Sequence, residues 1–167
     1  DLGHDVVAID VDEAVVDAIN AGEAPIEEPG LADLLAEHGG ASLRATTDYD
    51  ALCDTAATFL ALPTPSNPDG SIDLAPMKAG AEGVGAALAS KDAYHTVVVK
   101  STVIPGSTDD VLGPIVEDAA GTTQGDRLGI AMNPEFLREG SAVRDFLHPD
   151  KLVFGSDHRQ ALADLHD

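Results

Sequence analysis

The fold is decided by a stretch from His95 to Gly106 that reads HTVVVKSTVIPG. Its first half is apolar without the alternation of a half-exposed strand, which is typical of a strand buried on both faces of a parallel sheet. Polar residues follow, and Pro105-Gly106 then interrupts the backbone before a helical pattern from about Thr108 to Ala119. The stretch therefore predicts a strand from His95 to Lys100, a loop and a helix in succession.

The same succession of short apolar strands and amphipathic helices recurs along the chain. The other predicted strands are Val6 to Ile9, Ser42 to Ala45, Thr58 to Leu62, Leu128 to Met132 and Leu152 to Phe154. The other predicted helices are Asp12 to Asn20, Leu31 to Glu37, Tyr49 to Cys53, Ala75 to Ala89 and Gln160 to Leu165. Strands that alternate with helices predict an α/β fold, in which a parallel sheet is covered on both faces. We expect residues 1–167 to form one domain.

The composition is strongly acidic. Nine Lys and Arg stand against thirty Asp and Glu, which gives a net charge of −21. Because nucleic acids and anionic membranes need a basic surface, we predict neither as a partner. The acidic residues are spread among periodic segments rather than collected in a tail, which favours a folded protein adapted to high salt. No apolar run reaches the roughly 18 residues of a membrane span, and the N-terminus does not resemble a signal peptide, so we expect a cytoplasmic protein.

Cysteine and histidine give no indication of a metal site. Cys53 is the single cysteine, so neither a disulfide nor a zinc set is predicted, and its surroundings favour a small buried hydrophobe over a nucleophile. The six histidines lack the spacing of metal ligands. We predict no bound metal, and we predict that all six histidines lie at the surface or in loops.

Asp10 ends the first predicted strand. In dinucleotide-binding folds an acidic residue at the tip of the second strand binds the adenosine ribose, about 20 residues after a Gly-rich phosphate loop. Counting back from Asp10 passes the start of this chain. The pattern predicts a Rossmann-like, doubly wound parallel sheet that is N-terminally truncated, with its first strand and Gly-rich loop missing. The simpler interpretation is that Asp10 begins an ordinary turn.

Loss of the first strand has a physical consequence. This strand is central in the usual order, so its absence leaves two other strands with unpaired edges. We therefore expect the fragment to be unstable alone.

Polar loops follow three of the predicted strands. They read Pro63-Thr64-Pro65 after the Thr58 strand, Lys100-Ser101-Thr102 after the His95 strand and Asn133-Pro134-Glu135 after the Leu128 strand. Open α/β sheets bind ligands at the carboxyl ends of their strands, so these loops are suited to a site. Each loop also has a simpler interpretation. The first could be a rigid connector, Ser101 and Thr102 of the second could cap the next helix, and the third could start a helix with proline and acids early.

Taken together, the loops belong to a set of motifs that resembles a known family. The set comprises Gly22, Pro25-Ile26, Glu28-Pro29-Gly30-Leu31, Pro63-Thr64-Pro65, Lys100-Ser101-Thr102-Val103, Pro105-Gly106 and Asn133-Pro134-Glu135-Phe136-Leu137-Arg138-Glu139-Gly140. In order and spacing it is similar to the UDP-glucose/GDP-mannose dehydrogenase family, over essentially the whole chain. The resemblance implies the NAD-binding domain of an enzyme that oxidises the C6 alcohol of a sugar nucleotide to the acid in two steps.

The resemblance also implies roles for individual residues. Asp10 matches the acid that binds the ribose of NAD, and Thr64 matches a cofactor-contacting threonine. Thr102 matches a catalytic threonine near both the cofactor and the hydrolytic water, and Glu135 matches the carboxylate that helps to activate this water. The residues that match the substrate site are Glu135, Phe136, Leu137, Arg138 and Glu139, of which Glu139 also contacts the cofactor.

The chain departs from the family pattern in two respects. The family often has Lys or Arg five residues after the ribose acid, where this chain has Val15. The nucleophilic cysteine and catalytic lysine of the family lie in a half that follows Asp167, and Cys53 does not match that cysteine. We therefore expect the fragment to be inactive alone.

The segment Arg138-Glu139-Gly140-Ser141 resembles enzymes that oxidise UDP-glucose to UDP-glucuronate. GDP-mannose enzymes tend to have Ser-Thr after the glutamate, so GDP-mannose 6-dehydrogenase is the alternative within the family. A non-catalytic nucleotide-binding α/β module is the alternative outside it. The expected partner is a nucleotide-sugar substrate, and we expect the full-length enzyme to be a homo-oligomer.

Overall fold

The computed structural model describes residues 3–166 in two compact units. The first unit comprises the residues up to Ala51 together with Phe136–Lys151, and the second comprises Leu52–Glu135 and the residues from Leu152 onward. In chain order the elements are β1 (Val6–Ile9), α1 (Glu13–Asn20), α2 (Leu31–His38), β2 (Leu43–Thr46), a 3₁₀ helix (Tyr49–Asp54), β3 (Ala57–Leu60), α3 (Ala75–Leu88), β4 (His95–Val99), a π-helix (Ser107–Leu112), α4 (Gly113–Ala120), β5 (Leu128–Met132), α5 (Ala142–Leu147) and α6 (Arg159–Asp164). None of these helices is long and apolar enough to cross a membrane.

The first unit is built on a parallel pair of strands, β1 and β2, in a register that places Val6 opposite Leu43. Helix α1 begins after Asp12, whose carboxylate caps its first turn. At the other end of α1, the side-chain amide of Asn20 accepts the Ala45 N–H at 2.8 Å and donates to the Ala45 carbonyl at 2.9 Å. These two bonds fasten the helix to β2.

The second unit holds a three-stranded parallel sheet in the order β3-β4-β5. The central strand β4 is buried along its length, and Val97–Val99 are at most 1% exposed. Ala131 on β5 packs against Ala161 of α6. Its neighbour Ile130 points to the opposite face, where it lies close to Gly113 at the start of α4. Helices therefore cover both faces of this sheet, as the sequence predicted.

Most predicted elements are confirmed within about two residues, and β5 has its predicted bounds. All strand pairs in the described residues are parallel, apart from isolated bridges. Within residues 3–166, β1 and β3 each pair along one edge only. This pairing agrees with the expected unpaired edges, whereas a missing first strand stays a prediction.

The predicted strand from Leu152 to Phe154 is not formed. Instead, Gly155 makes an antiparallel bridge with Met132, with hydrogen bonds of 2.7 and 2.9 Å between their backbones. The three apolar residues before Gly155 are 37–62% exposed. An apolar run of this length looks like a strand in the sequence, but it becomes one only where a neighbouring strand offers a ladder.

Two predicted helices have a different hydrogen-bond pattern. Tyr49–Asp54 is a 3₁₀ helix, and Ser107–Leu112 is a π-helix that leads into α4. The N–H of Gly113 reaches the carbonyl of Thr108, five residues back. Pro114 follows and has no backbone N–H, so the regular α-helical ladder resumes only beyond it.

The prediction that all histidines lie at the surface or in loops is wrong for His95. This residue belongs to β4 and is 2% exposed. Its Nε2 lies 2.8 Å from the Thr58 hydroxyl and its Nδ1 lies 3.1 Å from the Thr55 carbonyl, so a neutral ring satisfies both nitrogens. Burial, together with the nearby charge of Lys91, lowers the pKa of His95 to about 4. Both nitrogens of the buried ring are therefore hydrogen-bonded by Thr55 and Thr58. These residues are distant from His95 in the sequence, so the sequence does not show that they are its neighbours.

Candidate functional site

Three loops of the second unit lie at one edge of its sheet. Because β3, β4 and β5 are parallel, their carboxyl ends point to the same edge. The loops that follow these strands carry Thr64, Thr102 and Glu135. This is the edge at which open α/β sheets bind ligands.

Ser101 joins the loop after β3 to the loop after β4. It is 9% exposed, and its hydroxyl accepts the Leu62 N–H at 2.8 Å and donates to the Leu62 carbonyl at 2.6 Å. The backbone N–H groups of Lys100 and Ser101 also donate to the Leu60 carbonyl, at 3.0 and 3.2 Å. These bonds fix the backbone that enters the Thr64 loop.

Lys100 joins the loop after β4 to the loop after β5. Its ammonium donates to Asn133 Oδ1 at 2.9 Å, and Asn133 is 6% exposed. The amide nitrogen of Asn133 in turn donates to the Val153 carbonyl at 2.9 Å. Burial lowers the pKa of Lys100, and the negative charge of Glu135 opposes this effect. A cation and a carboxylate therefore interact at the carboxyl end of β5.

The structure excludes two of the simpler interpretations of these loops. The helix after β4 begins beyond Gly106, so neither Ser101 nor Thr102 caps it. The segment after β5 is not helical, and α5 begins well beyond Glu135, so this carboxylate does not open a helix. Thr64 and Glu135 are half-buried, whereas Thr102 is exposed.

In the first unit, Asp10 lies directly after β1. Its N–H donates to the Thr46 carbonyl at 3.2 Å, which extends the ladder with β2 by one step. Its Oδ1 accepts the Asp12 N–H at 2.9 Å, so the carboxylate does begin a turn, as the simpler interpretation holds. Within residues 3–166 this turn engages Oδ1 and leaves Oδ2 for a ligand. A half-buried carboxylate in this state suits the hydroxyls of a ribose.

The predicted substrate segment from Phe136 to Glu139 belongs to the first unit and is exposed. The Lys151 ammonium lies 4.3 Å from the centre of the Phe136 ring, a cation–π contact. The Arg138 guanidinium donates to both oxygens of Asp145, at 2.9 and 2.7 Å. This pairing lowers the pKa of Asp145 and fixes the direction of the Arg138 side chain.

The sequence did not identify Lys100, Asn133 and Glu28 as site residues. For the first two there was a signal, since a lysine and an amide directly follow buried strands. Glu28 accepts hydrogen bonds from the N–H groups of Gly140 and Ala142, which are 112 and 114 residues away. Its position in the family motif was the one signal available for it.

Each unit separately has features that fit a dinucleotide. The first offers an acid at the tip of β1, and the second offers polar loops at the carboxyl edge of a parallel sheet that helices cover on both faces. These features define a nucleotide-binding α/β protein of the doubly wound class.

The comparison with known families is specific. The model of the UDP-glucose/GDP-mannose dehydrogenase family, NAD binding domain, matches residues 1–167. The chain therefore belongs to this family and represents its NAD binding domain. The UDP-glucose 6-dehydrogenase AglM of the halophilic archaeon Haloferax volcanii is 59% identical over 165 residues, which are 99% of this chain and 38% of that relative.

Two solved structures share the fold. A GDP-mannose dehydrogenase from Pseudomonas aeruginosa has a TM-score of 0.95 and 38% identity, and a UDP-glucose dehydrogenase from the hyperthermophilic archaeon Pyrobaculum islandicum has a TM-score of 0.91 and 42% identity. Each match covers 98% of this chain and 38% of the other. The predicted Rossmann-like fold and NAD as cofactor are thereby confirmed. The chain spans 38% of the length of these relatives.

Proposed function

We propose that this chain is the cofactor-binding part of an NAD-dependent enzyme that oxidises UDP-glucose to UDP-glucuronate. The 59% identity to the Haloferax volcanii relative, against 38% to the Pseudomonas aeruginosa GDP-mannose dehydrogenase, supports UDP-glucose as the substrate. The segment Arg138-Glu139-Gly140-Ser141 supports the same choice. Under this proposal residues 1–167 form one domain of a cytoplasmic homo-oligomer that binds a nucleotide sugar and neither nucleic acid nor membrane.

The observation that carries the proposal is the position of Glu135 at the carboxyl edge of the sheet. This carboxylate is half-buried, lies outside any helix and interacts with the charge of Lys100. A carboxylate in such a place can take a proton from an attacking water. We assign this role to Glu135, and we assign to Thr102 the positioning of the water.

The other site residues bind the two ligands. NAD supplies the hydride acceptor when it is bound. Asp10 would hold its ribose hydroxyls, and Thr64 would contact it from the loop after β3. The segment from Phe136 to Glu139 would bind the nucleotide sugar, with Glu139 in contact with both ligands. In this family a nucleophilic cysteine, which Cys53 does not match, holds the oxidised sugar as a thioester. We assign to Glu135 the activation of the water that hydrolyses this thioester.

The test replaces Glu135 in the complete enzyme by Gln. Without the base, hydrolysis slows more than oxidation, so we expect the steady-state rate to fall roughly 10²-fold or more. Intact-protein mass spectrometry should show a covalent sugar adduct, while UDP-glucose and NAD⁺ still bind. Glu82→Gln, an exposed change on α3, is the control and should turn over normally. A Glu135→Gln enzyme with normal turnover and no adduct would show that the assignment is wrong.

The alternative substrate is tested in the same assay. The higher TM-score with the GDP-mannose dehydrogenase is the observation that keeps this alternative open. We expect the complete enzyme to reduce NAD⁺ with UDP-glucose and to have a much lower kcat/KM with GDP-mannose. Reduction of NAD⁺ with GDP-mannose alone would assign the other activity of the family, and reduction with neither would favour a non-catalytic module.

A further inference from the structure

Glu28 binds the backbone of the predicted substrate loop. Its Oε2 accepts the Gly140 N–H at 2.9 Å, and its Oε1 accepts the Ala142 N–H at 2.8 Å. Both carboxylate oxygens are therefore engaged on one short segment, which starts directly after Glu139. A carboxylate that accepts two backbone N–H groups makes bonds about twice as strong as neutral ones.

The turn that carries Glu28 is itself built to approach this loop. Gly30 has a φ of +86°, which only glycine adopts without strain, and it caps the start of α2. A Cβ at Gly30 would lie 3.4 Å from Cγ1 of Val143, so the turn packs against the first turn of α5. The N–H of Leu31 donates back to the Glu28 carbonyl at 3.1 Å. The carboxylate is thus delivered from a fixed backbone.

Asp145 is a second anchor of the same loop. Asp145 accepts the Arg138 backbone N–H at 3.1 Å and the Ser141 hydroxyl at 3.1 Å, in addition to the Arg138 guanidinium. Asp145 therefore holds the loop at Arg138 and Ser141, and Glu28 holds it at Gly140 and Ala142. Glu139 lies between the two anchors and has no such bond to either of them in the described part of the chain. The position of Glu139 therefore depends on the backbone that the two anchors hold.

We propose that Glu28 is a positioning residue for recognition of the nucleotide sugar, because it holds the backbone of the loop that contains Arg138 and Glu139. This inference rests on the proposed function, in which that loop binds substrate. Glu28 itself contacts backbone N–H groups, so it acts through the loop and not on the reacting atoms. Its loss should change substrate binding more than the chemical step.

Replacement by Gln and by Ala should have graded effects. Gln keeps one acceptor oxygen, but its NH₂ group faces the second N–H and cannot accept from it. Ala removes both acceptors, so the N–H groups of Gly140 and of Ala142, the first residue of α5, lose this partner. Glu27 is the exposed neighbour of Glu28, so Glu27→Gln controls for the loss of one negative charge from the same turn.

The experiment measures steady-state kinetics of these variants in the complete enzyme. We expect the KM for UDP-glucose to rise about tenfold in Glu28→Gln and further in Glu28→Ala, as for loss of a hydrogen bond to a charged group. Because Glu139 is also assigned a contact with the cofactor, the KM for NAD⁺ of the Glu28 variants should rise, but less than their KM for UDP-glucose. The kcat of the Glu28 variants and both KM values of Glu27→Gln should stay within about twofold of wild type. A role confined to stability would leave the KM for UDP-glucose unchanged, and that result would overturn the proposal. An equal rise of both KM values would also overturn it.

Hydrogen exchange gives a readout that does not depend on turnover and covers the case in which Glu28→Ala fails to fold. The amides of Gly140 and Ala142 should exchange faster in Glu28→Gln than in wild type, and unchanged exchange would refute the anchor. If the wild-type enzyme oxidises GDP-mannose instead of UDP-glucose, the proposed substrate fails, and the KM comparison made with GDP-mannose still decides the role of Glu28. If the wild-type enzyme is active and the KM for its substrate is unchanged in both Glu28 variants, the inference about Glu28 is wrong and the proposed function still stands.

Discussion

Acidification should destabilise this domain through His95. The ring is buried in β4, where Thr58 and Thr55 satisfy the neutral form, and its pKa is lowered to about 4 from 6.5, first by burial and then by the charge of Lys91. Above pH 6.5 the ring is neutral in the folded and the unfolded chain, so it has no effect on stability. Between pH 6.5 and pH 4 the unfolded chain binds a proton that the folded chain does not, and stability falls.

The full effect follows from the two pKa values. At about 1.4 kcal/mol per pH unit, the gap between 6.5 and about 4 corresponds to about 3 kcal/mol. Most of this, about 2 kcal/mol, should be lost between pH 7 and pH 5.

The assay compares wild type with His95→Gln in the complete enzyme, by denaturant unfolding in molar KCl at pH 7 and pH 5. Other groups titrate in this range, so the measured quantity is the difference between the two proteins. Wild type should lose about 2 kcal/mol more than the variant on going to pH 5. NMR of ¹³C-labelled histidine should show the His95 ring neutral at pH 5. An equal loss in both proteins, or a ring that titrates near pH 6.5, would refute the reasoning.

Two further predictions concern packing and the cofactor. Gly85→Ala should destabilise the domain by about 1–2 kcal/mol in thermal melts despite the better helix propensity of Ala, because its Cβ would lie 2.7 Å from the Val116 carbonyl oxygen on α4. Gly80→Ala in the same helix is its matched control and should change stability by less than about 1 kcal/mol, since the nearest atom is the flexible end of the Leu62 side chain; equal effects would contradict the packing argument. Asp10→Ala should weaken NAD⁺ binding and narrow the preference for NAD⁺ over NADP⁺, because an acid at this position repels a 2′-phosphate. Unchanged kinetics with both cofactors would remove Asp10 from the site.

The strands of this fold could be predicted because each is a local property of the sequence. The apolar residues of β4 and β5 are followed by polar residues, and this boundary gives the carboxyl edge as well as the strand. The segment from Leu152 to Phe154 is equally apolar but makes no ladder, since pairing depends on a neighbour that is distant in the sequence. The burial of His95 was missed for the same reason, because its partners Thr55 and Thr58 are 40 and 37 residues away.

The sheet edge that carries the three loops could be predicted from the sequence, whereas the hydrogen bonds between these loops could not. The three loops share an edge because parallel strands require it, and the motifs named Thr64, Thr102 and Glu135 by resemblance. The hydroxyl of Ser101 and the amide of Asn133 could equally have capped helices or faced solvent. Their actual bonds, to Leu62 and to Lys100, depend on the register of neighbouring strands, which no local pattern contains.

The interaction between Lys100 and Glu135 bears on how the Glu135→Gln variant is interpreted. Gln removes a base, but it also removes the negative charge that favours the ammonium form of the half-buried Lys100. Glu135→Asp separates these two effects, because it keeps the charge and moves the carboxylate back by one methylene. If Glu135 acts as a base, geometry decides, and Asp should be slow and accumulate the adduct as Gln does. If Glu135 contributed only by stabilising Lys100 and, through Lys100, Asn133, then the Glu135→Asp variant should retain most of the activity. The relative rates of the two variants therefore show whether the carboxylate acts on the water or on the loops that surround it.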